Sequence, residues 1–230
     1  MTTHPSDRDD RRDSRPDDGD GDDKLTDPAA ALALVQRQQA ALERDQLGGI
    51  PVILLVWGVA WLVGFGALWS GYAGGNPWFQ VPLTVAGIVF AVFLVAAMGI
   101  SAWIGMRLNR GVRGPSNFSG AVYGIAWPIV GFGAWLMGVA LARNGMDSEL
   151  QSLFFPAIFA LVAGVMYVMG AAIWRSLDQL VLGLIILVAG TVAPFFGAPT
   201  NNLVMAVLGG GAFLIAGLVM HINLQRGRRA

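Results

Sequence analysis

The chain has 230 residues, 55% of them hydrophobic and only 13% charged, about half the charged share of an ordinary soluble domain. Its 15 basic and 15 acidic residues cancel, which points to no nucleic-acid partner, and the absence of cysteine excludes disulfides, thiolate metal sites, a catalytic Cys and palmitoylation. No charged residue lies between Asp45 and Arg107, a gap roughly three times the ~20 residues that cross a bilayer.

Residues 1–26 hold nine acids and almost nothing apolar. Such a segment cannot offset the entropy of ordering, and the expectation is a disordered acidic tail on the cytoplasmic side. Asp27-Pro28 then starts a helix, with Asp as N-cap and Pro at the first helical position. This helix is expected over 27–47, with Leu32, Val35, Gln39 and Leu42 along one face and Gly48-Gly49 ending it. It is amphipathic and shallow, suited to packing under its own bundle, lying on the membrane surface or holding a partner helix. The N-terminus lacks the basic-then-apolar pattern of a cleaved signal peptide, so the first apolar segment is expected to stay as an anchor.

Six apolar segments follow, at about 51–70, 80–106, 118–142, 152–174, 179–197 and 202–223. A lone segment in lipid satisfies its backbone only as a helix. The expected fold is therefore all-α: a polytopic bundle of six transmembrane helices over 48–223, with a basic tail at 224–230. Arg107, Arg110, Arg113, Arg175, Arg226, Arg228 and Arg229 fall on one side, and only Arg143 on the other. By the positive-inside rule both termini are cytoplasmic. Trp69 and Trp78 are placed at the outer interface, Trp103 and Trp174 at the inner one.

The first span contains VWGVAWLVGFGA (Val56 to Ala67), and the third repeats it as VYGIAWPIVGFGA (Val122 to Ala134) with Pro128 inserted. The second span ends MGISAW and the fourth MGAAIW. Spans one-two and three-four thus read as a duplicated two-helix hairpin, the copies related by an axis along the membrane normal.

No Asp, Glu, Lys, Arg or His is placed in the middle of any span. That argues against proton relays and intramembrane proteases, which need buried ionisable groups. No catalytic residue, metal site or cofactor is expected. His221 reads as interfacial, and Arg175 with Asp178 as a surface ion pair at a turn. The best candidates for a ligand site are Trp57 and Trp61, and their counterparts Tyr123 and Trp127, each pair on one helix face. If the two faces meet, they line an aromatic cavity for an apolar or cationic ligand; the plainer reading is core packing. Gly64, Gly66, Gly120, Gly124, Gly131 and Gly133 are expected to let helices approach closely. Gly209 to Gly211 suggest either close packing or an unwound site.

The Asp-Pro-x-x-Ala-Leu-x-Leu start of the cytoplasmic helix, followed by Trp-Gly-Val-Ala-Trp-Leu-Val-Gly-Phe-Gly, resembles a set of actinobacterial six-helix integral membrane proteins. Members are often labelled hypothetical protein or transporter. The resemblance implies a bacterial cytoplasmic membrane location and carries no site residue over.

Three roles follow. The first is a small transporter, or the permease or accessory subunit of a transport system; the chain has no P-loop, so ATP requires a partner ATPase. The second is a membrane-anchored regulator or scaffold that recruits a cytoplasmic partner through 27–47. The third, an enzyme acting on a lipid or isoprenoid, has the least support for want of acids, bases and nucleophiles. The expectation is a non-enzymatic membrane protein related to transport, whose partners are membrane lipids, a cytoplasmic ATPase subunit or regulator, and a second copy of itself.

Overall fold

The computed structural model describes residues 28–35, 48–108 and 115–227. The acidic tail, most of the helix expected at 27–47, and Arg110, Arg113, Arg228 and Arg229 lie outside the described residues. Residues 28–35 are helical, with Leu32, Leu34 and Val35 exposed.

The expectation of an all-α, six-span bundle is met: six helices are long and apolar enough to cross a membrane, and no strand occurs among the described residues. They are α1 (Ile50–Gly71), α2 (Leu83–Leu108), α3 (Pro115–Arg143), α4 (Ser148–Trp174) and α5 (Leu177–Val192), with a 3-10 turn Ala193–Phe196 continuing α5. The sixth span, α6, comprises an α-helical start Thr200–Val204, a π-helical turn Met205–Gly210 and an α-helix Gly211–Gly227. The protein is a multi-pass membrane protein.

The helix ends are built from local chemistry. Asp147 caps α4 by accepting from the Leu150 N–H at 2.8 Å. Ser176 caps α5, accepting from the Gln179 N–H at 3.3 Å. Between them Arg175 takes the left-handed conformation (φ 52°) that stops α4. The expected Arg175–Asp178 ion pair is not formed. The chain turns sharply at Arg175, and Asp178 sits in the first turn of α5, where the helix dipole favours a negative charge.

Packing orders the helices α2, α1, α6, α5, α4, α3, with α2 and α3 on the flanks. The core holds Trp61 and Phe65 of α1, Ala160 and Ala163 of α4, Leu182 and Ile186 of α5, and Met205 and Phe213 of α6. Backbones meet closely where glycine permits. A Cβ on Gly58 would stand 2.8 Å from the Leu214 backbone nitrogen, joining α1 to α6. A Cβ on Gly183 would stand 2.9 Å from both the Gly164 oxygen and the Val168 nitrogen, joining α5 to α4.

Of the glycines expected to pack, Gly64 does so, its Cβ position 2.6 Å from the Phe90 ring of α2. The others are corrected. At Gly66, Gly120, Gly124, Gly131 and Gly133 a Cβ meets nothing of this chain within 4 Å. The reason on α3 is that this helix lies at the edge of the bundle and buries Ala134 and Gly138 instead. Gly209 lies under the Trp61 indole, and a Cβ on Gly210 would be 2.8 Å from the Leu62 nitrogen. Gly209 and Gly210 therefore serve close packing, at the end of α6's π-helical turn, while a Cβ on Gly211 meets nothing within 4 Å.

The end of the bundle opposite Arg107, Arg175 and Arg226 is tied by side-chain amides. Ser70 Oγ donates to the Gly66 carbonyl at 2.9 Å and accepts from Asn76 Nδ2 at 3.0 Å. Asn201 and Asn202 are each 1% exposed. Asn201 Nδ2 donates to the Ser152 carbonyl at 2.9 Å, and Asn202 Nδ2 donates to Asn201 Oδ1 at 3.3 Å. Asn201→Ala takes these partners from the Ser152 carbonyl and from Asn202 Nδ2. It is expected to cost about 1–3 kcal/mol, read as a lowered unfolding midpoint in detergent.

Candidate functional site

The repeated motif does not occupy equivalent surroundings. In the first copy the motif helix α1 is central and its partner α2 flanks; in the second the motif helix α3 flanks and its partner α4 is central. Trp61 is accordingly 5% exposed, whereas Trp127, Trp57 and Tyr123 are half-buried. Trp57 turns to α2, donating its indole N–H to Ser101 Oγ at 2.9 Å.

The two aromatic faces do not meet directly; a series of rings links them. Tyr167 of α4 and Phe213 of α6 stand between Trp127 and Trp61: ring centroids are 5.8 Å apart for Trp127–Tyr167, 5.6 Å for Tyr167–Phe213 and 5.4 Å for Phe213–Trp61. The series continues from Trp61 to Phe65 at 5.4 Å and on to Phe90 at 5.0 Å. At the other end Tyr123 lies 6.0 Å from Trp127 and 4.7 Å from Trp174. Most of these contacts are edge-to-face, the arrangement the ring quadrupole prefers. Trp61 is thus a packing residue at the bundle centre. Two open grooves, of about 440 and 310 Å³, lie towards the opposite end and are lined by none of these rings.

The series changes character where it reaches the arginine-bearing end. There Tyr123, Trp174 and Gln179 converge over Gly170. A Cβ on Gly170 would stand 2.8 Å from Gln179 Oε1, 3.0 Å from the Tyr123 hydroxyl oxygen and 3.2 Å from the Trp174 ring. Glycine at 170 is what lets a carboxamide, a phenol and an indole from three helices share one spot. Gln179 is placed by the first turn of α5, its backbone held by the Ser176 cap. Its Oε1 is buried and is the one such side-chain atom among the described residues without a hydrogen-bond partner.

Sequence reasoning singled out Tyr123 and Trp127 as a pair on one helix face and Trp174 as an interfacial residue, which is 44% exposed here; it did not single out Gln179, Tyr167 or Phe213. One signal was available: Gln179 is an uncharged polar residue at the mouth of an apolar span, one turn beyond Arg175. Of the arginines expected to mark this end, Arg107, Arg175 and Arg226 are described and exposed. Arg107 stacks its guanidinium 4.1 Å over the Trp103 ring. His221 contacts Gln225, Nε2 to Nε2, at 2.8 Å on the exposed face of α6.

Comparison with known proteins gives two relatives. No family model matches the chain, and no solved structure matches it. A glycerol-3-phosphate acyltransferase of Synechococcus sp. (strain JA-2-3B'a(2-13)) is 32% identical over 152 residues, 60% of this chain and 70% of that protein. The chain belongs to the glycerol-3-phosphate acyltransferase family. A second such acyltransferase, from Synechococcus sp. (strain JA-3-3Ab), is 31% identical over 135 residues, 52% of this chain and 61% of that one.

Membership of an acyltransferase family corrects two expectations. The relatives are named for an enzyme, so the chain is not read as a non-enzymatic transport or scaffold protein. The inference from missing intramembrane acids and bases was too broad. Such groups are required where a proton or a hydrolytic water must be handled inside the bilayer. Acyl transfer joins a hydroxyl to an already activated acyl group, and both arrive with their substrates. A site at the membrane–water boundary can then act through orientation and hydrogen bonding.

Proposed function

We propose that the protein is a membrane-embedded acyltransferase of the bacterial cytoplasmic membrane, with both termini in the cytoplasm. It moves an acyl chain from an activated donor to a hydroxyl of glycerol 3-phosphate. The new bond joins the glycerol oxygen to the acyl carbon. The bond from that carbon to the donor's leaving group breaks, and the hydroxyl proton departs with the leaving group or to water. Family membership carries this reading.

The arrangement of the arginine-bearing end supports it. An anionic acceptor meets exposed Arg107, Arg175 and Arg226 there, and positive charge at the mouth of a site concentrates such a ligand. An acyl chain needs no tunnel. Beside Tyr123, the flanking helix α3 leaves Val122, Ile125 and Ile129 open, so a chain lying in the lipid reaches the boundary along an apolar surface. The test is incorporation of labelled glycerol 3-phosphate into solvent-extractable lipid by membranes enriched in the protein and supplied with an acyl thioester or a mixed acyl anhydride. Incorporation well above that of control membranes is expected; none above control removes the reading.

A further inference from the structure

We infer that Tyr123, Gln179 and Trp174 form a polyol subsite, in which Gln179 Oε1 and the Tyr123 hydroxyl together hold one hydroxyl of the acceptor. This rests on the acyltransferase reading and adds to it a place and a positioning residue. The observation behind it is the convergence over Gly170. Gln179 Oε1 is a buried acceptor with no donor supplied by the protein, and burying such a group unpaired costs about 1–3 kcal/mol. The Tyr123 hydroxyl lies over the same glycine and is both donor and acceptor.

An alcohol satisfies this pair. It accepts from the Tyr123 O–H through its oxygen and donates its own proton to Gln179 Oε1. A fully deprotonated anion has nothing to give the amide oxygen. The Trp174 and Tyr123 rings, 4.7 Å apart and nearly perpendicular, supply apolar walls for a carbon backbone. Access follows from the fold. Tyr123 rides on α3, a flanking helix whose extensive packing is with α4 alone. Glycerol 3-phosphate carries two hydroxyls. The one held here has its lone pair engaged by Tyr123, so the other is left to attack, and Gln179 and Tyr123 act as positioning residues.

The test uses the full-length protein in phosphatidylcholine vesicles, so that the only polyol present is the one added to the water. Tryptophan emission is titrated with glycerol 3-phosphate, glycerol and inorganic phosphate, and KM and kcat for glycerol 3-phosphate are measured in parallel. Wild type is expected to respond to glycerol 3-phosphate and to glycerol. Gln179→Leu is expected to raise the half-saturating concentration and KM about tenfold with kcat within about twofold, in line with the loss of one hydrogen bond. Gln179→Glu, which keeps an oxygen at that place, recovers part of the loss. Tyr123→Phe removes only a hydroxyl and provides the same test if Gln179→Leu fails to fold. Unchanged KM and unchanged titration in Tyr123→Phe and Gln179→Leu overturn the subsite while leaving acyl transfer standing. A response to inorganic phosphate equal to that to glycerol 3-phosphate, and none to glycerol, also overturns it. Should wild type make no acyl product but still show Gln179-dependent polyol binding, the reaction is wrong and the subsite is kept.

Discussion

Trp61→Ala lowers the unfolding midpoint of the detergent-solubilised protein by about 10 °C, several times the effect of Trp127→Ala. The two residues hold the same place in the repeated motif, so sequence alone predicts equal effects. Their surroundings differ. Trp61 is 5% exposed, lies edge-on to Phe65 and Phe213 at 5.4 Å each, and covers Gly209. Removing it leaves a cavity between α1 and α6 that cannot close, at a cost of about 3–5 kcal/mol, each worth about 2–4 °C in a chain of this size. Trp127 is half-buried on the flanking helix and has lipid to replace what it touches; about 1 kcal/mol is expected of it. Differential thermal unfolding of the two variants decides the matter. Equal losses contradict the unequal packing of the two copies.

Gly183→Leu abolishes the folded bundle, whereas Gly124→Leu leaves it intact. At Gly183 the atoms that a side chain would meet are the Gly164 carbonyl oxygen and the Val168 nitrogen, both backbone and both 2.9 Å from the Cβ position. No rotamer change relieves that clash, and α4 and α5 must separate. The reciprocal contact at Gly164, 2.9 Å from the Leu187 nitrogen, is lost with it. In lipid, helices associate through such close packing and not through the hydrophobic effect. Overpacking costs about 1–3 kcal/mol even when a side chain can yield, and more is expected here. Gly124 faces open space within this chain, and its leucine variant is expected to stay within about 0.5 kcal/mol. Size-exclusion profiles of the two variants in mild detergent read the difference. A monodisperse Gly183→Leu protein contradicts the assigned α4–α5 contact. Loss of the Gly124→Leu protein contradicts the lipid-facing placement of that part of α3.

The six spans were legible because a membrane helix has one stringent requirement, an uninterrupted apolar run, and each run is bounded by Gly, Asn, Pro or charge. What was not legible is which face of each helix meets another. In a soluble helix the polar face marks solvent. Here lipid and core are both apolar, so Gly64, which packs on Phe90, and Gly66, which packs on nothing in this chain, look alike in sequence. The motif repeat left open whether the faces carrying Trp61 and Trp127 meet. Symmetry in sequence did not fix that α1 goes to the centre and α3 to the edge, because the third hairpin, α5 and α6, enters between them without a recognisable copy of the motif. The candidate site at the arginine-bearing end was half legible. Tyr123 and Trp127 stood out by spacing, but Gln179 is one amide in a chain of 230 residues, and its significance appears only when Gly170 brings it against a phenol from another helix.

The claim on which the account turns is acyl transfer to glycerol 3-phosphate, and purified protein in proteoliposomes tests it directly. The vesicles receive glycerol 3-phosphate with a long-chain acyl thioester in one series and a mixed acyl anhydride in another, and the lipids are followed by mass spectrometry. A protein-dependent monoacyl glycerol phosphate is expected with at least one donor, saturable in glycerol 3-phosphate. No such product with either donor, from protein that is folded and correctly inserted, contradicts the claim.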